Sequence, residues 1–233
     1  HGFLGKCLKQ AWPATIKVKD PRDFNPIGPD GNPMAWPDNT AVHLGRSADN
    51  YDFRNERELF HALQRYKPNV LVNAAAHVGS MAYVAAHPAD VASDNMLLYL
   101  SMYKAVKTYK DFTGESVRIV NVISNCSYPG DAVVQREDEW WDGPVHGSVA
   151  AYGNPKKMGW ILSRAYREQY GVETTNLILP NAYGPNDYVD PDRTHALNGM
   201  VLRMIEAQKG ATRASSCGAA GSRSGSGSTC RTP

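Results

Sequence analysis

The chain has 233 residues, 42% of them hydrophobic, and a formal net charge of +2. That is enough apolar material for the core of one α/β domain of ordinary size. The near-neutral charge excludes the basic stripe of a nucleic-acid binder and the polybasic patch of a membrane-surface protein, and no apolar run approaches the roughly 20 residues of a spanning helix.

In chain order, the first predicted element is a helix over residues 3–10, opened by Gly2-Phe3-Leu4-Gly5. Glycines three apart at a helix start suit a dinucleotide loop, where backbone amides approach a pyrophosphate closely. Residues 12–39 carry Pro13, Pro21, Pro26, Pro29, Pro33 and Pro37 and read as an inserted loop. Short β-branched runs predict strands at 41–45, 69–73, 117–123 and 173–179, and amphipathic stretches predict helices at 55–66, 90–109, 150–170 and 197–208. This alternation argues for a Rossmann-like, doubly wound parallel sheet over residues 1–208.

The catalytic signal lies where the third of these strands gives way to the helix after it. Ser124 ends the strand, and Tyr152 and Lys156 stand four apart on the helix, hence on one face. A lysine beneath a tyrosine is expected to lower the phenol's pKa and ready it for proton exchange, and a strand-end serine can hydrogen-bond the same substrate oxygen. Proton exchange at an oxygen whose carbon gains or loses hydride is the protein's share of nicotinamide chemistry. A lone His195 follows in a polar loop. The four cysteines, Cys7, Cys126, Cys217 and Cys230, lack zinc-ligand spacing and fit a reduced, cytoplasmic chain. His77, His87 and His146 have no metal-like spacing either, and Trp140 and Trp141 read as loop packing or a substrate-side wall.

Several segments resemble one family, the extended short-chain dehydrogenases/reductases with the NAD-dependent epimerases/dehydratases. They are Asn73-Ala74-Ala75-Ala76-His77-Val78-Gly79-Ser80, Pro88-Ala89-Asp90, Asn95-Met96, Ser124-Asn125-Cys126-Ser127-Tyr128-Pro129 and Asn181-Ala182-Tyr183-Gly184-Pro185-Asn186-Asp187, with His195 and Arg203 in register beyond them. The match is closest to the branch that converts GDP-4-keto-6-deoxy-mannose to GDP-L-fucose with NADPH. The resemblance implies hydride chemistry at Ser124, Tyr152 and Lys156, with Cys126 and His195 moving protons at the carbons beside the 4-keto group. It also implies Arg203 on the nucleotide diphosphate and Asp52, Ala74, Ala75 and Asn181 around the cofactor. Arg46, just after a strand end, is placed to pair with the 2′-phosphate of NADP, although NAD is open. A homodimer and a nucleotide-sugar substrate follow from the same resemblance.

Departures leave alternatives. Ser80 stands for a glycine, Asn125 for a serine, and Gly153-Asn154-Pro155 for the usual small residues within YxxxK; a proline there suits only the first turn of a helix. Another nucleotide-sugar 4-epimerase or dehydratase would keep Ser124, Tyr152 and Lys156 without needing Cys126 and His195, and a non-catalytic Rossmann-like binding protein could retain all five. Residues 209–233 form a low-complexity tail, read as disordered or as a frameshifted translation, because a one-base shift permits a Trp-Gly-x-Gly string followed by Arg-Glu that resembles the family's entry into its substrate lobe. The expectation is a piece of a longer enzyme, lacking a first strand and most of a substrate domain, and inactive by itself.

Overall fold

The computed structural model describes residues 44, 51–184, 187–190, 194 and 196–220, without the side chains of residues 196 and 211–220. The predicted helix at 3–10, the 12–39 loop and the candidates Gly2, Phe3, Leu4, Gly5, Arg46 and His195 lie outside the described residues, as does the 41–45 strand apart from Leu44.

Helix α1 spans Glu56–Tyr66, and its ends are written in the sequence. The Asn55 side chain accepts from the Arg57 amide at 3.0 Å, Glu56 and Glu58 occupy the positive end of the helix dipole, and Lys67 closes the helix at φ 41°. Leu59, Ala62, Leu63 and Tyr66 recur at helical spacing and are buried. Strand β1 follows at Val70–Asn73, then a short helix α2, Met81–Ala86, and the long α3, Pro88–Thr113, which starts on proline and stops at Gly114 with φ 74°. Strand β2 is Arg118–Ser124, α4 is Ala150–Tyr170, closed by Gly171 at φ 63°, β3 is Thr174–Leu179, and α5 is Ala196–Ala220.

The three strands are parallel in the order β1-β2-β3. Helices α1, α3 and α4 form a layer on one sheet face. Tyr99, Met102, Tyr103, Val106 and Tyr109 of α3 meet Leu59 and Leu63 of α1, Ile119 of β2 and, at the margin, Leu162 and Tyr166 of α4. Long crossovers with helices are what parallel pairing requires, so the alternation read from the sequence and the sheet observed are one fact. Across the strands runs a ladder of asparagines in register, Asn73 beside Asn121 and Asn121 beside Asn176. The fully buried Asn121 donates to the Tyr103 hydroxyl at 2.7 Å and to Asn176 Oδ1 at 3.1 Å, and Asn176 donates to Ser163 of α4 at 2.9 Å. Such a network pins one register, because a slip would leave buried amides unpaired at about 1–3 kcal/mol each.

Predicted and observed elements differ at their ends. Helix α3 is longer than residues 90–109 by a turn at its C-terminal end, and α5 runs past 208 into the segment read as a tail. Helix α2 was not anticipated; its signal is Ser80, whose hydroxyl caps the Tyr83 amide at 3.3 Å. Pro155 lies inside α4 as its sixth residue, beyond the first turn where a proline was expected to be tolerable. It offers no amide to the Ala151 carbonyl. Burial of Pro155, Lys156, Gly159 and Ser163 against neighbouring elements carries the helix through that gap.

Candidate active site

The C-terminal end of β2 and the N-terminal part of α4 meet at one point. Ser124 is the last residue of β2, and the chain then tightens into a 3₁₀ turn, Asn125–Ser127, in which the Ser124 hydroxyl accepts from the Cys126 amide at 3.3 Å. Helix α4 docks directly on this turn because Gly153 has no side chain: a Cβ there would lie 2.5 Å from the Cys126 carbonyl oxygen and 2.7 Å from Val145. That contact sets Tyr152 over the strand end. Ser124 and Cys126 both act on the Tyr152 phenol, so the structure brings together four of the five residues singled out for chemistry.

Lys156 follows one turn later and is 3% exposed. Its ammonium lies between two rings, 5.3 Å from the centroid of Tyr152 and 5.3 Å from that of Tyr99. Tyr99, on α3, is a residue that sequence reasoning missed. Its seat depends on Gly159, where a Cβ would come within 2.6 Å of the ring. Two buried aromatic rings converging from different helices leave no mark in local sequence.

The electrostatics correct the expectation for the pair. Burial pushes the Tyr152 phenol well above its ordinary value, the Cys126 sulfur adds to this, and hydrogen bonding from Ser124 offsets it only in part. Burial pushes Lys156 down from 10.5 to about 8. Lys156 was expected to lower the Tyr152 pKa; instead the shared desolvation disfavours the charged form of both. Tyr152 is therefore protonated throughout the neutral range, and Lys156 titrates just above it. Among the described residues no carboxylate pairs with Lys156, so its donors are free for hydroxyl or phosphate oxygens of a ligand.

The loop joining β2 to α4 is fastened by aromatic contacts. Trp140 is buried, donates from its indole nitrogen to the Ser127 hydroxyl at 2.9 Å, and packs edge-on against Trp141 and Trp160. Lys157 lies over the Trp140 and Trp141 rings, 5.7 and 5.1 Å from their centroids. Trp140 is thus loop packing, while Trp141 keeps 46% of its surface.

The remaining candidates are scattered around this centre. Ala74 and Ala75 follow β1, and the Ala75 amide donates to Asn73 Oδ1 at 3.2 Å. Asp52 receives Arg54 on both carboxylate oxygens, Nε–Oδ1 at 2.9 Å and Nη2–Oδ2 at 2.5 Å. Asn181 is exposed just beyond β3, and Arg203 is exposed on α5; no described contact joins either to Tyr152. Among the described residues no helix is long and apolar enough to cross a membrane.

Comparison with known proteins places these residues in context. The NAD dependent epimerase/dehydratase family matches residues 27–224. A GDP-L-fucose synthase of Sinorhizobium fredii is 27% identical over 158 residues, 67% of this chain and 49% of that one. A probable GDP-L-fucose synthase of Drosophila melanogaster is 28% identical over 205 residues, 87% and 56% of the two chains. The chain thus spans about half the length of the curated relatives it matches. Among solved structures, a GDP-L-fucose synthetase of Naegleria fowleri bound to NADP aligns with a TM-score of 0.61 over 73% of this chain and 54% of its own, at 24% identity, a likeness of fold.

Proposed function

The chain belongs to the NAD dependent epimerase/dehydratase family, and from that membership we propose that it carries the catalytic half of a nucleotide-sugar epimerase/reductase, one that converts GDP-4-keto-6-deoxy-mannose to GDP-L-fucose with NADPH. The observation that carries this reading is the convergence of Ser124, Cys126, Tyr152 and Lys156 at the end of β2. The C-terminal edge of a parallel sheet is where such folds hold ligands, and the buried ammonium of Lys156, without a carboxylate partner among the described residues, suits the hydroxyls of a nicotinamide ribose. Bound there, the cofactor would supply hydride to the 4-keto carbon.

The residues of the chain then divide the proton work. Tyr152, held neutral by burial, gives its proton to the oxygen of the reduced carbonyl, and Ser124 hydrogen-bonds the same oxygen. Cys126 and His195 exchange protons at the carbons beside the ketone, which the carbonyl acidifies. Gly2, Phe3, Leu4, Gly5, Arg46, Asp52, Ala74, Ala75 and Asn181 are assigned to the cofactor and Arg203 to the nucleotide diphosphate, in keeping with the family's pattern. Cysteines without paired spacing support a cytoplasmic setting.

The test is an assay with GDP-4-keto-6-deoxy-mannose and NADPH in deuterium oxide, on a form of the protein that also carries the segments its relatives have beyond the matched region. Expected are stoichiometric NADPH oxidation and deuterium at both carbons flanking the ketone. Oxidation without deuterium uptake would move the assignment to a simple 4-reductase, and neither would end the reading.

An apolar patch on α3 and α4 supports a homodimer. Ala92 and Met96 of α3 and Ala151, Pro155 and Met158 of α4 line an apolar cavity of about 330 Å³. Leu100 and Ile161, one turn further along, are 38% and 43% exposed. These exposed apolar side chains on two packed helices suit a second copy of the same pair. Sedimentation at twice the 25.6 kDa protomer mass is expected, falling to one protomer in Leu100→Asp/Met158→Asp; a wild-type monomer at micromolar concentration would sink the proposal.

A further inference from the structure

Helix α3 does more than pack. One turn and a half from its start, the Asp94 carboxylate bridges two loops that leave the ligand-bearing side of the fold. On one side Arg54 donates from Nη1 to Asp94 Oδ1 at 2.7 Å, while its other nitrogens grip Asp52. On the other, His77 Nδ1 lies 2.9 Å from Asp94 Oδ2, and His77 Nε2 lies 3.0 Å from the Tyr83 hydroxyl. These distances suit the tautomer in which Nδ1–H donates to the carboxylate and Nε2 accepts from the phenol.

The surrounding geometry repeats the same tie. Asn95, next on α3 and 1% exposed, clamps the backbone of His77 from both sides, accepting from its amide at 3.2 Å and donating to its carbonyl at 2.8 Å. Two turns on, the Ser101 hydroxyl donates to the Arg54 carbonyl at 2.6 Å. Gly79 completes the seat, since a Cβ there would strike the Tyr83 ring at 2.5 Å. Partial burial alone would raise the Asp94 pKa, yet the hydrogen bonds and charge of Arg54, with the hydrogen bond of His77, hold its carboxyl below the ordinary range. It is an anion at neutral pH, with a partner on each loop.

We propose that Asp94 is a positioning residue for the dinucleotide, holding the Asp52 loop and the Ala74–Ala75 loop at the spacing that one cofactor must bridge. The proposal rests on the cofactor reading given above. None of the three bridging side chains needs to touch the cofactor; their work is to remove, before binding, the freedom of two loops that the ligand would otherwise have to order.

The experiment measures the NADPH dissociation constant from nucleotide fluorescence, with thermal stability and amide hydrogen exchange recorded on the same samples. Asp94→Ala is expected to weaken NADPH binding about tenfold and to speed exchange in residues 51–55 and 75–80, while Asp94→Glu restores binding to within about threefold. A purely structural role would lower the melting temperature and leave the affinity of the folded protein as it was; a dissociation constant for Asp94→Ala within twofold of wild type overturns the proposal. If Asp94→Ala does not fold, Arg54→Gln and His77→Gln carry the test. Each cuts the same tie, so the double variant is expected to be little weaker than either single one, and full additivity overturns the proposal. Wild-type protein that binds no NADPH at all would remove the cofactor reading and this inference together, whereas wild-type binding with an unaffected Asp94→Ala removes only the inference.

Discussion

Tyr152→Phe is expected to lower NADPH oxidation by about a thousandfold, within the range a positioned general acid contributes. The substitution deletes one oxygen from a side chain already packed over the end of β2, so the fold has little to lose. What disappears is the proton that the reduced carbonyl oxygen must receive. Because burial keeps this phenol protonated across the neutral range, the wild-type rate should show no ionisation of Tyr152 between pH 6 and 8. Deuterium uptake beside the ketone, assigned to Cys126 and His195, should survive in Tyr152→Phe to within about tenfold. Loss of both activities in equal measure would mean that Tyr152 serves binding or structure, and the role given to it here would be wrong. Unchanged NADPH oxidation would remove the hydride chemistry from this site.

Lys156→Met is expected to abolish turnover and to stabilise the fold at the same time. The ammonium is 3% exposed with no carboxylate partner among the described residues, and its pKa is pushed from 10.5 down to about 8 by burial. The sign follows from linkage. Between about pH 8 and 10.5 the unfolded chain binds more protons than the native one, so native stability rises with pH across that window. Below pH 8 the cost of the buried cation is fully present, on the order of 3 kcal/mol. Methionine has nearly the same length and no charge. Its variant should therefore melt higher at pH 7, by an amount on the order of 1–3 kcal/mol, and should lose the rise in stability between pH 8 and 10.5. Denaturant titrations at pH 7, 8.5 and 10 separate the outcomes. A Lys156→Met protein less stable than wild type at pH 7 would show that the ammonium is held by more than the two tyrosine rings.

A buried lysine that destabilises the fold beside Tyr152 fits the functional role proposed for it. The same contrast separates Lys156 from its neighbour. Lys157 is also buried, but it lies over Trp140 and Trp141 and donates to the Gly143 carbonyl at 3.3 Å. One lysine fastens the loop, whereas the other has no such anchor among the described residues.

What the sequence determined by itself was the class of fold and the set of residues that the fold brings together at the end of β2. Asn55 with Glu56 and Glu58, Pro88 with Gly114, and Gly171 fix helix ends through local capping, which needs no tertiary partner. Tyr152 and Lys156 share a helix face by spacing alone, and Ser124-Asn125-Cys126 marks a strand end, so the candidate cluster was legible before any coordinates. The passage of α4 through Pro155 was not, because it depends on packing that outweighs a contrary local preference, and α2 is a short helix whose one local signal is the Ser80 cap. Tertiary structure alone decided the sign of the electrostatics. Spacing places a lysine beneath a phenol, but only the depth of burial shows that desolvation, not the lysine's charge, governs both pKa values. It alone also revealed Tyr99 over Lys156 and Asp94 between Arg54 and His77. Tyr99 and Lys156 stand 57 positions apart on two helices, and Asp94 on α3 reaches Arg54 40 positions away and His77 17 positions away, each in a loop; a linear pattern carries no distance between elements that meet only when the sheet and its helices close on one another.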